Sequence, residues 1–208
     1  MDVIDYRVGR EVAIAKAKEV IARGDLVVLP TDTVYGLGAD PFSPGAVDRL
    51  LTAKGRGRDK PSPVLVGSVA DAAKLAEVIP DAARALMEEF WPGALTIVLP
   101  AKPTIGWDLG ETNGTVALRM PDDEFTLSLL GSAGPLAVSS ANLTAAHPAA
   151  NVDQAKEQLG EKVALYVDGG QCGGGEPSTI VIVGEKLKIV RHGAIPDSEI
   201  ARFGELED

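Results

Sequence analysis

Cysteine and histidine are nearly absent from this sequence of 208 residues, which contains one cysteine and two histidines. Cys172 has no partner for an internal disulfide, and with His147 and His192 it cannot supply the four ligands of a structural zinc site. Two histidines also leave few bases that could activate a serine nucleophile. The sequence therefore predicts a chain without structural zinc that is stabilised by a hydrophobic core.

Long apolar runs are missing as well. No stretch approaches the roughly 18 apolar residues of a membrane helix, and Met1 to Asp5 lack the basic start and apolar core of a signal peptide. Lys and Arg number 20 against 30 Asp and Glu, which gives a formal net charge of −10. Proteins that coat nucleic acid usually have a positive net charge. Any contact between this acidic chain and phosphate must therefore come from a local basic patch. We expect a cytoplasmic protein without a membrane partner.

Apolar segments with strand and helix periodicity are mixed along the chain without strict alternation. This pattern predicts an α/β or α+β class with a mixed sheet. The length favours a single domain over residues 1–208, with a core at about 10–195 and a short C-terminal tail at 196–208. The predicted helices are 11–23, 46–53, 69–78, 81–90, 122–130, 152–159 and 195–203. The predicted strands are 26–29, 95–99, 116–118, 136–138, 163–167, 179–183 and 187–190.

Two polar clusters directly follow predicted strands. Pro30 to Gly38 supplies two threonine hydroxyls, a carboxylate and a phenol, and Ser139 to Asn142 supplies hydroxyls and an amide. Ligands of α/β proteins tend to bind at such strand ends. Each cluster also has a plainer interpretation, a turn capped by Asp32 for the first and a helix N-cap for the second.

The segment from Lys54 to Lys60 concentrates four cations in seven residues of an acidic chain. Its glycines at 55 and 57 disfavour a continuing helix, and Arg and Lys side chains both bind phosphate. Cations this close repel one another unless an anion lies among them. The pattern favours an anion-binding loop over a merely solvated one, and it predicts that Lys54 and Arg56 act from a polar loop.

A glycine-rich segment at 169–175, which includes Gly174, precedes Glu176 to Thr179. It is not a Walker A loop, and it does not match the dinucleotide fingerprint because a strand follows where a helix is needed. Taken alone, it is more often a plain hairpin connection. Arg119 and Arg191 end predicted strands, and each is either a solvated strand end or a cation held at a sheet edge.

The clusters share one property, since each lies at a strand end and carries hydroxyls, cations or glycines. The sequence shows no catalytic triad and no paired glutamates for glycoside chemistry. A site of this composition binds anions and positions them, as phosphoryl or nucleotidyl transfer requires.

The same residues resemble the motifs of the YrdC/TsaC-like L-threonylcarbamoyladenylate synthases, over about residues 12–193. The resemblance implies a YrdC-like twisted, open mixed sheet flanked by helices, with a concave basic cavity. Six motifs occur in the family's order: Pro30 to Leu37, Lys54-x-Arg56 with Asp59-Lys60-Pro61, Trp91-Pro92-Gly93 with Leu95-Thr96, Val116 to Pro121, Ser139 to Asn142, and Pro177 to Ile180.

The resemblance also implies a nucleotidyltransferase reaction. ATP, L-threonine and bicarbonate would give threonylcarbamoyl-adenylate and pyrophosphate, with Mg²⁺ entering alongside ATP and with no zinc, flavin or nicotinamide. A downstream tRNA threonylcarbamoyl transferase complex would then move the group to an adenosine beside the anticodon. We treat tRNA itself as a candidate partner.

Residue roles follow from the matching motifs. No metal ligand is implied. The implied catalytic set is Lys54, Arg56, Ser140 and Asn142. The residues implied to hold threonine are Thr33, Tyr35, Arg119, Val138 and Ser178. Those implied to hold ATP are Arg56, Lys60, Thr115, Ser140, Pro148 and Arg191.

Three positions depart from the family pattern. Leu65 stands where many members have a histidine near threonine, Ala145 replaces a common glycine, and Ile182 stands where an aspartate often follows the final strand. Longer members carry a linker and a C-terminal domain. About fifteen residues follow Gly193 here, so we expect that domain to be absent.

Three alternatives to this function are considered at the level of sequence. One is a regulatory or translation-linked protein with a decayed site, which the intact set of Lys54, Arg56, Ser140 and Asn142 disfavours. An RNA-binding module of the same fold without adenylation activity is favoured by the basic loop and disfavoured by the net charge of −10. A carbamoyl-adenylate enzyme that starts from carbamoyl phosphate would carry further domains, for which 208 residues leave no room.

Overall fold

The fold is described by a computed structural model covering residues 1–173 and 175–207. Gly174 of the glycine-rich segment and Asp208 of the predicted tail lie outside the described residues. No helix within those ranges has the length and apolar character of a membrane span. The helices are α1 Arg10–Ala22, α2 Pro44–Lys54, α3 Val69–Leu75, α4 Asp81–Phe90, α5 Glu124–Ala133, α6 Val152–Leu159 and α7 Asp197–Ile200, with 3₁₀ turns at Gly160–Lys162 and Ala201–Phe203.

The described strands form one mixed sheet in the order β1-β8-β2-β3-β7-β4-β6-β5-β9-β10. The pairs β1/β8, β2/β8, β4/β6 and β5/β9 are parallel and the remaining pairs are antiparallel. The mixed α/β class is therefore confirmed. The strands are β1 Asp2–Asp5, β2 Val27–Leu29, β3 Gly36–Ala39, β4 Val64–Leu65, β5 Leu95–Pro100, β6 Thr115–Arg119, β7 Leu136–Ser140, β8 Leu165–Asp168, β9 Thr179–Val183 and β10 Leu187–Arg191.

Residues with known preferences for helix ends determine where α2 ends and α5 begins, next to the candidate site. Pro44 occupies the first turn of α2, where its missing N–H is not needed, and Gly55 ends that helix with a left-handed φ of 62°. The carboxylate of Asp123 caps α5 by accepting from the backbone N–H of Thr126 at 2.8 Å. The helix predicted over 122–130 therefore begins two residues later, at Glu124.

Helices cover the two faces of the sheet unequally. On one face, α1 and α5 pack against apolar side chains of β2, β4, β7 and β8, including Leu65 and Val138. That core cluster contains no residue of β5, β6, β9 or β10 in the described part of the chain. The sheet is therefore left uncovered by these helices where those four strands run, and this uncovered area borders the cavity described below.

The glycine-rich segment is not a hairpin connection, which corrects that interpretation. Six strands separate β8 from β9 in the sheet, so the segment between them crosses from one half of the sheet to the other. The buried phenol of Tyr35 anchors its start, accepting from the N–H of Gly169 at 2.9 Å and donating to the carbonyl of Gly170 at 2.7 Å. The strands β1, β3 and β4 were not predicted, because each is short and two of them lack strand-type composition.

Candidate active site

A cavity of about 220 Å³ lies at the edge of the α1/α5 layer. Leu65 and Val138 belong both to the core under those helices and to the cavity wall. The wall continues over the uncovered strands through Val98, Ala117 and Ile180. One side of the cavity is therefore apolar. Its polar groups come from the loops after β2 and α2, from the ends of β6, β7 and β10, and from Thr96 of β5 and Ser178 just before β9.

Three arginines line this cavity, and each donates a hydrogen bond to a hydroxyl that also lines it. These contacts, the three arginine–hydroxyl pairs, join residues that lie 83, 86 and 13 positions apart in sequence. The pairs are Arg56 Nη1 with Ser139 Oγ at 3.2 Å, Arg119 Nη1 with Thr33 Oγ1 at 3.0 Å, and Arg191 Nη2 with Ser178 Oγ at 2.7 Å. The arrangement places cations and small hydroxyl groups around one space, as an anion-binding site requires.

Arg119 is held on three sides. Its Nε donates to the carbonyl of Gly93 at 2.9 Å, its Nη1 to Thr33, and its Nη2 to the Asp32 carboxylate at 2.6 Å. The side chains of Arg119 and Asp32 are only 8% and 16% exposed. A guanidinium has five N–H groups, so two N–H groups of Arg119 donate no hydrogen bond to the described residues.

Arg56 and Arg191 differ from Arg119 because neither has a carboxylate within 4.0 Å among the described residues. Burial, followed by repulsion from Arg119 and Arg56, lowers the pKa of Arg191 to about 10. Burial also lowers the pKa of Arg56, which the exposed Asp59 offsets only partly. Both side chains remain cationic near neutral pH, and a bound anion would relieve the cost of burying them.

Lys54 is not on a polar loop, which corrects its predicted location. It is the last residue of α2 and only 3% exposed. Its Nζ donates to the carbonyl oxygens of Ser140 and Asn142, and its own carbonyl accepts from the N–H of Thr144. The ammonium therefore fixes the turn that follows β7, and it does not line the cavity.

Asn142 also serves this turn. It is 6% exposed, does not line the cavity, and donates from Nδ2 to the carbonyls of Leu143 and Ala146, both at 2.8 Å. Two members of the implied catalytic set thus hold the backbone turn next to a third, Ser140. Ser140 lines the cavity, as does Arg56.

The four cations of the 54–60 segment do not converge on one anion. Lys54 points inward, while Arg58 forms ion pairs with Asp48 and Asp108 at the surface. Lys60 is exposed and does not line the cavity. Only Arg56 reaches the cavity, and the other two cavity cations come from β6 and β10. The segment 54–60, which the sequence predicts to be an anion-binding loop, therefore contributes one arginine to a cavity that is lined by three.

The remaining predicted residues divide into two groups. Tyr35 and Val138 line the cavity, although the hydroxyl of Tyr35 is occupied by the glycine-rich segment. Pro148 is half-buried outside the lining. Thr115 also lies outside it, and its hydroxyl donates to the carbonyl of Thr112 at 2.7 Å. The structure of the described chain thus does not bring Thr115, Pro148 or Lys60 into the cavity.

Sequence reasoning missed several polar residues of the site. Ser139 and Thr96 both line the cavity, and the Thr96 hydroxyl lies 2.8 Å from that of Ser178. Thr31 also lines it and donates to the carbonyl of Val34 at 2.7 Å. Their signal was present in the motifs already noted, since Thr31, Thr96 and Ser139 each belong to one of them.

The three departures from the family pattern have different structural settings. Leu65 lines the cavity, so an apolar side chain stands there. Ala145 adopts a φ of 66°, a left-handed conformation that glycine accommodates more easily. Ile182 is 37% exposed on β9. The left-handed backbone conformation at position 145 therefore explains why glycine is common there in the family.

Comparison with known proteins adds a family assignment to this geometry. The family model Sua5_yciO_yrdC, described as Telomere recombination, matches residues 19–193. A protein of Mycobacterium tuberculosis, provisionally named a threonylcarbamoyl-AMP synthase, is 47% identical over 193 residues, which cover 92% of this chain and 89% of that protein. A Bacillus subtilis protein named threonylcarbamoyl-AMP synthase is 35% identical over 209 residues, covering 96% of this chain and 59% of that protein.

A solved structure of Sua5 from Pyrococcus abyssi in complex with L-threonine has the same fold. Its TM-score is 0.93 at 32% sequence identity, and the match covers 100% of this chain and 63% of that chain. This chain therefore spans less than two thirds of the Sua5 chain. The likeness extends over the whole of this chain, including its sheet.

Proposed function

The chain belongs to the Sua5/YciO/YrdC family, and we propose that it is a threonylcarbamoyl-AMP synthase acting on ATP, L-threonine and bicarbonate. The observation that carries the proposal is the set of three arginine–hydroxyl pairs around one cavity. A cavity with three cations and no lining carboxylate among the described residues suits a reaction whose substrates are all anionic or zwitterionic.

Threonine is proposed to bind at Arg119. The two free N–H groups of that guanidinium suit an amino-acid carboxylate, since arginine binds carboxylates through paired donors. Thr33 and Ser178 carry hydroxyls beside their arginines and can each turn a proton toward a ligand oxygen. The apolar wall of Leu65, Val98 and Ile180 offers a surface for a methyl group.

The nucleotide is proposed to bind at Arg56 and Arg191, with Ser140 beside them. The amine of threonine adds to carbon dioxide derived from bicarbonate and forms an N-carboxylate. An oxygen of that carboxylate attacks the α-phosphorus of ATP, and the bond to the β,γ-diphosphate breaks with release of pyrophosphate. Charge on the phosphates rises as the leaving group departs, and fixed cations stabilise it without having to reorganise.

Mg²⁺ is proposed to enter with ATP. No carboxylate of the described residues lines the cavity, and Asp32 is occupied by Arg119. The donors that fit the ion are therefore the phosphate oxygens and water, with hydroxyls of the wall nearby. When bound, the ion would offset phosphate charge and supply Lewis-acid polarisation.

The product is a mixed anhydride, which must be passed to an acceptor before water attacks it. We propose that a downstream tRNA threonylcarbamoyl transferase complex takes it up, and that tRNA is modified beside the anticodon. A reaction that supplies tRNA modification belongs where tRNA is, so we expect the chain in the cytoplasm.

One assay tests the proposal. The purified chain is incubated with ATP, Mg²⁺, bicarbonate and one amino acid at a time, and pyrophosphate and the adenylate are measured. Release of pyrophosphate should require threonine and bicarbonate together. Release without threonine dependence would contradict the proposal, and tRNA retention on a filter without any adenylate would favour the RNA-binding alternative.

A further inference from the structure

Asp32 is the only carboxylate in the described residues that lies within 4.0 Å of a cavity arginine. It belongs to the loop after β2, while Arg119 ends β6, 87 residues further along the chain. The carboxylate itself does not line the cavity. Any effect of Asp32 on a ligand must therefore pass through the orientation and the charge of Arg119.

The pair divides the cavity into two electrostatic regions. Arg119 with Asp32 has a net charge of zero, whereas Arg56 and Arg191 together have a charge of +2. Among the described carboxylates, the exposed Asp59 acts on Arg56 at longer range. Screening by solvent is weak for groups as buried as this pair. A ligand approaching Arg119 therefore meets paired hydrogen-bond donors with little net charge, and a ligand approaching the other two arginines meets an uncompensated positive field.

Different anions suit these two regions. A multiply charged phosphate group gains most where positive charge is uncompensated. A zwitterionic amino acid carries an ammonium next to its carboxylate, and that ammonium is repelled by a bare guanidinium. It fits better where the guanidinium is neutralised by a partner and still offers two N–H groups for the carboxylate.

We infer that Asp32 is a positioning residue that reserves Arg119 for the carboxylate of a zwitterionic amino acid and keeps phosphate groups at Arg56 and Arg191. The inference rests on the proposed function, in which both kinds of ligand occupy one cavity. It adds a reason why they occupy different arginines. Without Asp32, all three arginines would compete for the polyphosphate.

The test compares the affinities of two probes, L-threonine and inorganic pyrophosphate, measured by titration calorimetry on the full chain. Asp32→Asn should weaken threonine binding about tenfold or more, and it should tighten pyrophosphate binding about threefold or more because a third arginine becomes available. Pyrophosphate should also begin to compete with threonine. Asp25→Asn, which alters an exposed carboxylate paired with Arg23 at 3.5 Å, is the matched control and should change neither affinity.

A merely structural role for Asp32 predicts a different result. In that case Asp32→Asn would lower the affinities for both probes by the same factor or leave both affinities unchanged, and either outcome overturns the inference. If Asp32→Asn does not fold, as judged by circular dichroism, Arg56→Gln tests the division of the cavity on which the inference rests. That variant should lose about tenfold in pyrophosphate affinity while threonine affinity stays within about twofold, and equal losses would overturn the inference.

These measurements require only that the two probes bind, and they do not require the chain to catalyse a reaction. A chain that shows the expected variant pattern but releases no pyrophosphate from ATP would refute the proposed function and leave the role of Asp32 intact. A chain that makes the adenylate while Asp32→Asn leaves the ratio of the two affinities unchanged would do the reverse.

Discussion

The ammonium of Lys54 lies 2.6 Å from the carbonyl oxygen of Asn142, in the interior of the protein. The sequence suggests both Lys54 and Asn142 as ligand-binding residues. In the structure the lysine side chain instead donates a hydrogen bond to the asparagine backbone. Arg56, only two residues away, reaches the cavity instead. Substitutions at positions 54 and 56 should therefore impair the protein in different ways, the first by destabilising the fold and the second by removing a cation from the cavity.

Lys54→Met should destabilise the fold. It leaves the carbonyls of Ser140 and Asn142 without a donor in a buried location, and unmet buried acceptors cost about 2–3 kcal/mol in free energy of unfolding here. Urea denaturation measures this loss. Arg56→Gln is the comparison and should unfold at nearly the same urea concentration as the unchanged chain; an equally stable Lys54→Met would contradict the structural role.

Stability attributable to Lys54 should rise with pH. Burial, followed by repulsion from Arg56, lowers its pKa from 10.5 to about 8 in the folded state. The folded chain then binds fewer protons than the unfolded chain between about pH 8 and 10.5, so the free energy of unfolding increases with pH in that window. The neutral amine keeps two N–H groups for the two carbonyls.

The measurable quantity is the difference in unfolding free energy between the unchanged chain and Lys54→Met. It should grow by up to about 1 kcal/mol per pH unit from pH 8 to 10. Other titrating groups are common to both proteins and cancel. A difference that is flat or falls over this range would refute the lowered pKa.

Arg191→Gln should act on catalysis with little effect on stability. One of the two arginines without a carboxylate partner is then missing from the phosphate region, and loss of one such donor typically costs about a hundredfold in rate. Pyrophosphate release at saturating threonine measures it. A rate within about threefold of the unchanged chain would remove Arg191 from the nucleotide site.

Gly193→Ala should disturb Ser178 through the backbone. A Cβ at position 193 would lie 2.6 Å from the carbonyl carbon of Ser178 and would overlap the carbonyl oxygen of Pro177. Neither atom can move without shifting the Ser178 hydroxyl, so the KM for threonine should rise about tenfold. Gly184→Ala is the matched control, because the nearest atom to its new Cβ is 3.6 Å away. Equal KM values for the two variants would count against Ser178 as a threonine ligand.

Ala145→Gly should stabilise the chain. The left-handed φ of 66° costs a residue with a Cβ about 1 kcal/mol relative to glycine. Thermal unfolding should therefore occur at a higher temperature. Ala146→Gly serves as an internal comparison of opposite sign, since glycine there only adds freedom to the unfolded chain and should lower stability by about 0.5 kcal/mol.

The sequence contained a signal for the burial of Lys54 that the prediction did not use. Val47, Leu50 and Lys54 lie three and four residues apart, so they share one side of α2, and the first two are buried. Extending the predicted helix from Ala53 to Lys54 would have placed the lysine on the apolar side. Strand ends carrying Arg119 and Ser140 were correctly located by the same kind of periodic pattern.

Two features could not be obtained in this way because they depend on contacts between distant parts of the chain. The pairing of Asp32 with Arg119 requires the positions of β2 and β6 in the sheet. The crossing path of the glycine-rich segment requires knowledge that β8 and β9 are not neighbours. Local propensity is compatible with a hairpin there, and only the strand order excludes it.

The pairing of β1 and β2 with β8 has a consequence for synthesis on the ribosome. Residues 2–5 pair only with 165–168, and residues 27–28 pair early with β3 but find the partner for their other edge in the same late strand, so these edges emerge long before the strand that joins them. Until then the nascent chain exposes unpaired edges of the kind that chaperones bind. Because Arg191 comes later still, the cavity with its three arginines is assembled only after nearly all of this sequence has been translated.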